Sequence, residues 1–124
     1  MKIKNFTDLV AWQEAHRLVL DVYKLTEKFP SEEKFGLTNQ IRRAVVSVTS
    51  NISEGFSRNS AKEKSQFYRI SLGSLAEVQN HTIVAKDLKY ISSTDLNEAF
   101  ERIILVNKLL RGLLKSSTYL TRAR

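Results

Sequence analysis

The residues with the clearest chemical potential lie along one side of a single predicted helix. In the stretch FGLTNQIRRAVVSVTSNISEG, residues 35–55, polar side chains recur every three or four positions. They are Gln40, Arg43, Ser47, Asn51 and Glu54, which we call the polar row. At about 100° per residue the row occupies a sector about 80° wide. Such a row suits an active site, a buried network against another helix or subunit, or the polar flank of an ordinary amphipathic helix.

An active site would need further groups, and the chain offers few. It has two histidines, His16 and His81, and the helical periodicity places both on core-facing sides, where a packed, hydrogen-bonded histidine is the ordinary outcome. A di-iron bundle needs Glu-x-x-His on two helices, but Glu77 precedes His81 by four positions and Glu14 precedes His16 by two. No HExxH, phosphate-binding-loop, GxSxG or dinucleotide-binding motif occurs.

We therefore predict a protein that is not an enzyme, with no catalytic, metal-binding or cofactor-binding residue. The competing hypothesis is an enzyme that uses His81 with Glu77. It requires these two side chains to line an accessible pocket, and burial of His81 in a packed core would count against it.

The composition favours a polyanionic partner. The chain has 124 residues, and 20 Lys and Arg against 13 Asp and Glu give a net charge of +7. This balance favours RNA or DNA through phosphate contacts and counterion release, although many small basic domains have no such partner. The absence of cysteine excludes disulfides, thiolate metal sites and a cysteine nucleophile. No secretory signal opens the chain and no stretch approaches the roughly 20 apolar residues of a membrane span, so we expect a cytoplasmic protein without membrane contact.

The apolar periodicity predicts an all-α chain with helices at about 8–28, 36–55, 60–89 and 93–116. Four such helices with short connections predict an antiparallel up-down-up-down four-helix bundle. The length suits one domain over residues 1–124, with flexible ends at 1–6 and 117–124.

Capping residues set several of these boundaries. Thr7 or Asp8 is the predicted N-cap of the first helix. Gly55 suits the left-handed position after the second helix. Ser60 and Glu63 form a predicted capping box at the start of the third.

Each helix has a predicted core face, and apolar residues also occur outside it. The predicted face of the first helix is Trp12, Ala15, His16, Val19, Tyr23 and Thr26, and that of the second is Leu37, Ile41, Ala44, Val45, Val48 and Ile52. The predicted face of the third helix is Phe67, Ile70, Ser71, Ser74, Val78, His81, Ala85 and Leu88. That of the fourth is Leu96, Ala99, Phe100, Ile103, Asn107, Leu110 and Leu114. Gly73 costs about 1 kcal/mol against Ala in a helix interior, which close packing there would offset. Leu18, Leu75 and Leu105 fall off these faces on three helices, which favours self-association because an oligomer would bury them.

Two sets of candidate functional residues follow. We predict that the polar row joins Glu77 in a structural network, so that Arg43→Ala would lower stability or disrupt assembly. The members of this network are Gln40, Arg43, Ser47, Asn51, Glu54 and Glu77. The candidates for phosphate contact are basic residues near the termini and a basic cluster around the turn between the second and third helices. We count Arg42 and Arg43 in that cluster. The alternative is that these residues form a solvated basic edge without a partner. The candidate nucleic-acid contacts are Lys2, Lys4, Arg42, Arg58, Lys62, Lys64, Lys115, Arg122 and Arg124.

Several stretches, taken together, resemble a known family. They are FTDLVAWQEAH, LTEKFPSEEKFGLTNQIRRAVVSV, NISEG with Arg58 after it, and SLGSLAEV, and they span roughly residues 5–115. The chain resembles the four-helix-bundle family named after a protein encoded in intervening sequences of bacterial 23S ribosomal RNA genes. Ser53 departs from the pattern, since the family more often has Ala there, and the segment 79–81 is also less typical.

This resemblance implies an all-α bundle that assembles as a homopentameric ring, with no catalytic assignment. Relatives include the accessory proteins of diversity-generating retroelements, which are basic pentamers that bind nucleic acid. The family's characteristic polar positions correspond to Gln40, Arg42, Arg43, Ser47, Asn51, Glu54 and Arg58, joined by Gly73, Ser74 and Glu77. We therefore expect a homo-oligomer that binds RNA or DNA, with a protein-binding scaffold as the alternative.

Overall fold

The computed structural model describes residues 2–123, and the side chains of residues 2–117. Four α-helices make up most of the described chain, with 3₁₀ turns at Phe6–Asp8 and Ser31–Glu33 and no strand in these residues. The helices are α1 (Val10–Thr26), α2 (Leu37–Ser57), α3 (Ala61–Asp87) and α4 (Ser93–Ala123). The prediction of an all-α four-helix bundle is confirmed. None of the described helices combines the length and the apolar character that crossing a membrane would require.

Ion pairs between α1 and α4 show that these helices are antiparallel. Lys28 Nζ lies 2.9 Å from Asp95 Oδ1, at the end of α1 and the start of α4. Two turns farther along, the Arg102 guanidinium bridges Asp21 at 3.0 Å and Glu14 at 2.8 Å. Each helix packs on the next in sequence and α4 returns to α1, so the order around the bundle is α1, α2, α3, α4.

The first helix starts later than the sequence predicts. Asn5 Oδ1 accepts a hydrogen bond from Thr7 N, and Asp8 Oδ2 accepts one from Asn5 N, both at 3.0 Å. This capping box begins the 3₁₀ turn, and α1 begins only at Val10, after Leu9, which provides no side-chain cap. The predicted cap at Thr7 or Asp8 was wrong because an asparagine with extended backbone precedes both and caps the turn.

The carboxylate of Glu33 holds the start of α2. Its Oε1 accepts a hydrogen bond from Leu37 N at 3.0 Å, and its Oε2 accepts one from the Tyr90 hydroxyl at 2.8 Å. The bond from Leu37, and then that from Tyr90, favour the ionised form and lower the pKa of Glu33. Gly36 leaves room for this carboxylate, since a Cβ at residue 36 would lie 2.7 Å from Oε1. One side chain thus ties the start of α2 to the segment after α3.

Two glycines behave differently from their predictions. Gly55 lies inside α2, and no described glycine has a positive φ, so its predicted left-handed conformation was wrong. The close approach of α3 explains it, since a Cβ on Gly55 would lie 2.6 Å from Tyr68 Cε1. The close packing predicted at Gly73 was also wrong, because no heavy atom lies within 4 Å of a Cβ placed there.

The ends of α3 are held by different devices. Ser60 Oγ accepts a hydrogen bond from Glu63 N at 3.1 Å, which confirms Ser60 as the N-cap, although the Glu63 side chain does not return the bond. At the other end the left-handed residue is Lys89, with φ of 67°, and Tyr90 N donates to Ala85 O across it at 2.9 Å. The helix α4 continues past the predicted end at 116; the predicted flexible end at 117–124 lies largely outside the described side chains, and flexibility at both ends stays a prediction.

The predicted core face of α2 is confirmed, and that of α1 was right only in part, since Ala15 and Thr26 are buried while His16 and Tyr23 are exposed. Five of the six predicted α2 positions are buried, and Leu37 is partly buried. The buried residues of α1 are Ala11, Ala15, Leu18, Val22 and Thr26. Trp12 and Tyr23 drew the prediction toward the wrong side because α1 is apolar over more than one face.

The core faces of α3 and α4 were partly predicted. On α3, Ser71, Ser74, Val78 and Ala85 are buried as expected. Ile70 and Leu88 are exposed instead, and Leu75, placed off the face, is fully buried. On α4 the predicted Ala99, Ile103 and Leu110 are buried together with Val106.

Candidate functional site

Part of the polar row joins α2 to α3. Ser47 Oγ lies 2.8 Å from Ser74 Oγ, and Asn51 Nδ2 donates to Ser47 O at 2.8 Å and to Ser47 Oγ at 3.0 Å. Deeper in the interface, the Ser71 hydroxyl donates to Val48 O at 2.8 Å. Small hydroxyl side chains therefore let the two helices approach closely, and no buried polar side-chain atom among the described residues lacks a hydrogen-bond partner.

Glu54, the last residue of the polar row, contacts a residue at the C-terminal end of α2. Its Oε2 lies 3.4 Å from the Arg58 guanidinium, which also stacks 4.8 Å from the centroid of the Phe67 ring. Glu54 therefore does not join the Ser47–Asn51–Ser74 contacts.

The other members of the predicted network lie on the surface. Gln40, Arg43 and Glu77 are exposed, and their side chains make no hydrogen bond or ion pair within residues 2–117. They line one open groove of about 400 Å³ between α2 and α3, together with Asn39, Ala44, Ser47, Ser74 and His81. Arg43 and Glu77 border the same groove without pairing, so each charge stays available to a second molecule.

The predicted burial of the two histidines was wrong. His16 is exposed and stacks on Trp12, with ring centroids 4.8 Å apart. His81 is half-buried at the groove, beside Glu77, so the pocket that the enzyme hypothesis requires is present. However, no hydrogen bond joins Glu77 to His81, and a catalytic base needs a partner that orients it. Among the described side chains, no group of three His, Asp or Glu could hold a metal ion.

Besides Arg58, two of the candidate phosphate contacts have structural partners. Arg42 Nε donates to Thr26 Oγ1 at 2.8 Å, and its guanidinium lies 4.5 Å from the Tyr23 ring centroid. Lys64 Nζ donates to Phe56 O at 2.7 Å, near the C-terminus of α2 where a cation is favourable, and partial burial lowers the pKa of Lys64. Arg42 faces the end of α1 and lies about 24 Å along α2 from Arg58, so the predicted single cluster around the α2–α3 turn was wrong in including Arg42 and Arg43.

The remaining cations concentrate at one end of the bundle. The antiparallel order brings residues 2–9, 54–66 and 108–117 to the same end, which we call the basic end. It contains eight cations, Lys2, Lys4, Arg58, Lys62, Lys64, Lys108, Arg111 and Lys115, against three carboxylates, Asp8, Glu54 and Glu63. Apart from Arg122 and Arg124, whose side chains lie outside the described residues, the rest of the chain has ten cations and ten carboxylates. The net charge of the described side chains therefore lies entirely at this end.

The sequence prediction missed Lys108 as part of this surface and left Arg111 out of the candidate contacts. Arg111 Nε donates to Asn107 Oδ1 at 2.9 Å, and Lys108 is exposed two turns before Lys115. The antiparallel topology was the signal available, since it places the last turns of α4 beside the α2–α3 turn.

Comparisons with known proteins agree with this architecture. A family model described as "23S rRNA-intervening sequence protein" matches residues 7–112. The chain belongs to this family. The matched range of the intervening-sequence family covers the whole polar row with Arg58, Lys62 and Lys64, while Lys2, Lys4 and Lys115 lie outside it. The resemblance read from the sequence is thereby confirmed.

A solved structure supports the fold. It is a protein of unknown function from the S23 ribosomal protein family of Bacteroides thetaiotaomicron, 20% identical to this chain, with a TM-score of 0.79. The match covers 86% of this chain and 99% of the other. No curated protein matches the chain. The family assignment therefore carries a helical fold and no established activity.

Proposed function

We propose that this protein is a non-enzymatic, self-associating helical bundle that binds RNA or DNA through its basic end. The observation that carries the proposal is the concentration of charge, since three separate chain segments bring the whole net charge of the described side chains to one end. A cation cluster of this kind binds phosphates and releases counterions, which supplies affinity without sequence readout.

The candidate cations of the basic end differ in whether another side chain already contacts them. Lys2, Lys4, Lys62 and Lys115 are exposed and form no ion pair in the described residues, so no internal contact has to be broken when they meet phosphate. Arg58 is held by Glu54 and Phe67 and would keep its charge near the surface. Arg122 and Arg124, also candidates from the sequence, have side chains outside the described residues.

Self-association would multiply this charge. The family resemblance favours a homopentamer, and the unpaired Arg43, Glu77 and Gln40 at the α2–α3 groove supply polar groups that a neighbouring subunit can satisfy. A ring of parallel bundles would place every basic end on one side, and several weak phosphate contacts would then act together on one strand.

The proposal is tested with wild-type protein and unrelated labelled RNA and DNA, by mobility shift across a salt series. We expect the protein to bind both RNA and DNA at low salt. The logarithm of the association constant should fall linearly with the logarithm of the salt concentration. Absence of binding at the lowest salt would contradict the proposal, since a phosphate-driven interaction is strongest there.

The alternative function is a protein-binding scaffold in the same cytoplasmic compartment, which the absence of cysteine suits. Isolated apolar side chains on the surface favour it, for example Leu20 on α1 and Ile104 on α4. Recovery of a defined protein partner after nuclease treatment, with no mobility shift of RNA or DNA, would support the scaffold over nucleic-acid binding.

A further inference from the structure

Phe35 is an apolar side chain that the fold leaves in solvent. It is 86% exposed, more than any other large hydrophobic residue among the described side chains. It lies in the turn before α2, where Glu33 and Gly36 already form the helix start, so the turn does not need an aromatic ring at this position. Its one described ring contact is the Lys34 ammonium, 5.4 Å from the ring centroid. An exposed phenylalanine of this kind is available to a second molecule, and its burial there would remove apolar surface from water.

The same end of the bundle contains a groove between α1 and α4. The groove has a volume of about 470 Å³, and its lining includes the half-buried Leu25 together with Val22 and Ala99, which are buried in the core. The Lys28–Asp95 and Arg102–Asp21 ion pairs cross from one helix to the other at its two ends. A phenyl ring that enters between these bridges would contact Leu25 and bury its own apolar surface, which contributes about 25 cal/mol per Å².

We propose that Phe35 of one copy of this chain inserts into the α1–α4 groove of a second copy. The charges beside the two features are complementary. Glu32 and Lys34 flank the ring in sequence, while Lys24 lies on the α1 wall and Glu98 and Glu101 lie on the α4 wall. None of these five groups forms an ion pair with another described residue, so Lys34 can pair with the glutamates and Glu32 with Lys24 as the ring enters.

This contact rests on the proposed self-association and specifies its geometry. Phe35 and the groove are different surfaces, so each copy offers one of each and the interface is head-to-tail. Both lie toward the end of the bundle opposite the basic end. A head-to-tail contact closes into a ring when the rotation between successive copies divides a full turn, which is the form that the proposed homopentamer requires. The basic ends then stay free for nucleic acid.

Cysteine cross-linking tests the contact directly, because the chain has no native cysteine. Lys34→Cys and Glu98→Cys are prepared separately and mixed under mild oxidation. We expect a cross-linked pair that contains one copy of each variant, since a disulfide forms only when the two Cα atoms approach within about 7 Å. Lys62→Cys, at the basic end, replaces Glu98→Cys in the matched control and should give no such pair. Equal cross-linking in both mixtures, or none in either, would overturn the contact.

Mass measurements on Phe35→Ala provide the second test. The side chain is exposed, so thermal stability of the subunit should be unchanged, while the dissociation constant of the assembly rises by at least about tenfold. Ile104→Ala, which removes a side chain that is 65% exposed on α4 outside the groove, should keep the wild-type assembly. If Phe35→Ala forms an assembly of the same mass as the wild-type protein, this contact is overturned and self-association stays intact. If the wild-type protein itself has a mass near that of the 14.2 kDa monomer, self-association is overturned.

Discussion

The hydroxyl oxygens of Ser47 and Ser74 lie 2.8 Å apart across the interface between α2 and α3. This hydrogen bond connects the polar row to the buried face of α3 at the middle of the longest helix contact in the bundle. Asn51 reaches back along α2 to the same serine. The row therefore has an inner part that fixes two helices and an outer part, Gln40 and Arg43, that faces solvent.

Removing the inner hydrogen bond should destabilise the fold. Ser74→Ala leaves the Ser47 hydroxyl with Asn51 alone, so we expect the free energy of unfolding to fall by about 1 kcal/mol in urea denaturation. Ser50→Ala, at an exposed position of α2, is the control and should change it by less than about 0.5 kcal/mol. Equal effects of the two substitutions would mean that the Ser47–Ser74 contact adds nothing.

The helical glycines should respond to alanine with opposite signs. A Cβ on Gly55 would lie 2.6 Å from Tyr68, so Gly55→Ala should lower the free energy of unfolding by about 1–3 kcal/mol. A Cβ on Gly112 meets no heavy atom within 4 Å, so Gly112→Ala should raise it by up to about 1 kcal/mol through helix propensity. Urea denaturation of both variants checks the pair, and a stabilising Gly55→Ala would refute the close approach of α3.

The helices α1 and α2 illustrate how far the sequence predicts the fold. The periodicity of α2 identifies its buried face because one apolar stripe faces one polar row. On α1, apolar residues cover more than one side, and only tertiary packing decides that Leu18 and Val22 are the core. The left-handed residue is Lys89, which no propensity rule would choose over a glycine.

Acid should weaken the start of α2 in the wild-type protein more than in a variant that lacks the Glu33 carboxylate. The folded pKa of Glu33 is below its ordinary value, so its ionised form stabilises the fold above the unfolded pKa, near 4.5, and this contribution is lost as pH falls through the folded pKa. We expect the stability difference between wild type and Glu33→Gln to be larger at about pH 7 than at about pH 3. Urea denaturation at both pH values measures it. Glu32→Gln, whose carboxylate makes no described hydrogen bond, is the control, and a pH-independent Glu33→Gln difference would contradict the prediction.

Substitution of Arg43 separates the fold from the assembly. Arg43 has no partner within the described chain, so Arg43→Ala should change the free energy of unfolding of the dissociated subunit by less than about 0.5 kcal/mol. Under the proposed self-association, light scattering should nevertheless show a weaker oligomer. An unchanged oligomer with an unchanged fold would remove Arg43 from the network predicted from the sequence.

The candidate sites were predictable in kind but not in position. Basic residues at both termini were visible in the sequence, and only the antiparallel order of the helices shows that Lys2, Lys62 and Lys115 share one end. Arg42 illustrates the reverse, since its charge suggested phosphate binding while its contacts with Thr26 and Tyr23 are internal. Exposure of Phe35 could not be predicted, because it lies in a turn without the periodicity that distinguishes buried from exposed positions.

The most direct test of the basic end compares two variants that each lose two positive charges from the wild-type +7. One is Lys62→Gln with Lys115→Gln at the basic end, and the other is Lys86→Gln with Lys89→Asn at the opposite end. Fluorescence anisotropy with labelled RNA and DNA gives affinity at several salt concentrations. We predict that the basic-end variant loses at least about tenfold in affinity at low salt, with a salt slope smaller by about 0.9 for each phosphate contact removed, while the other variant stays near wild type. Equal losses in the two variants would show that overall charge, and not the basic end, governs binding.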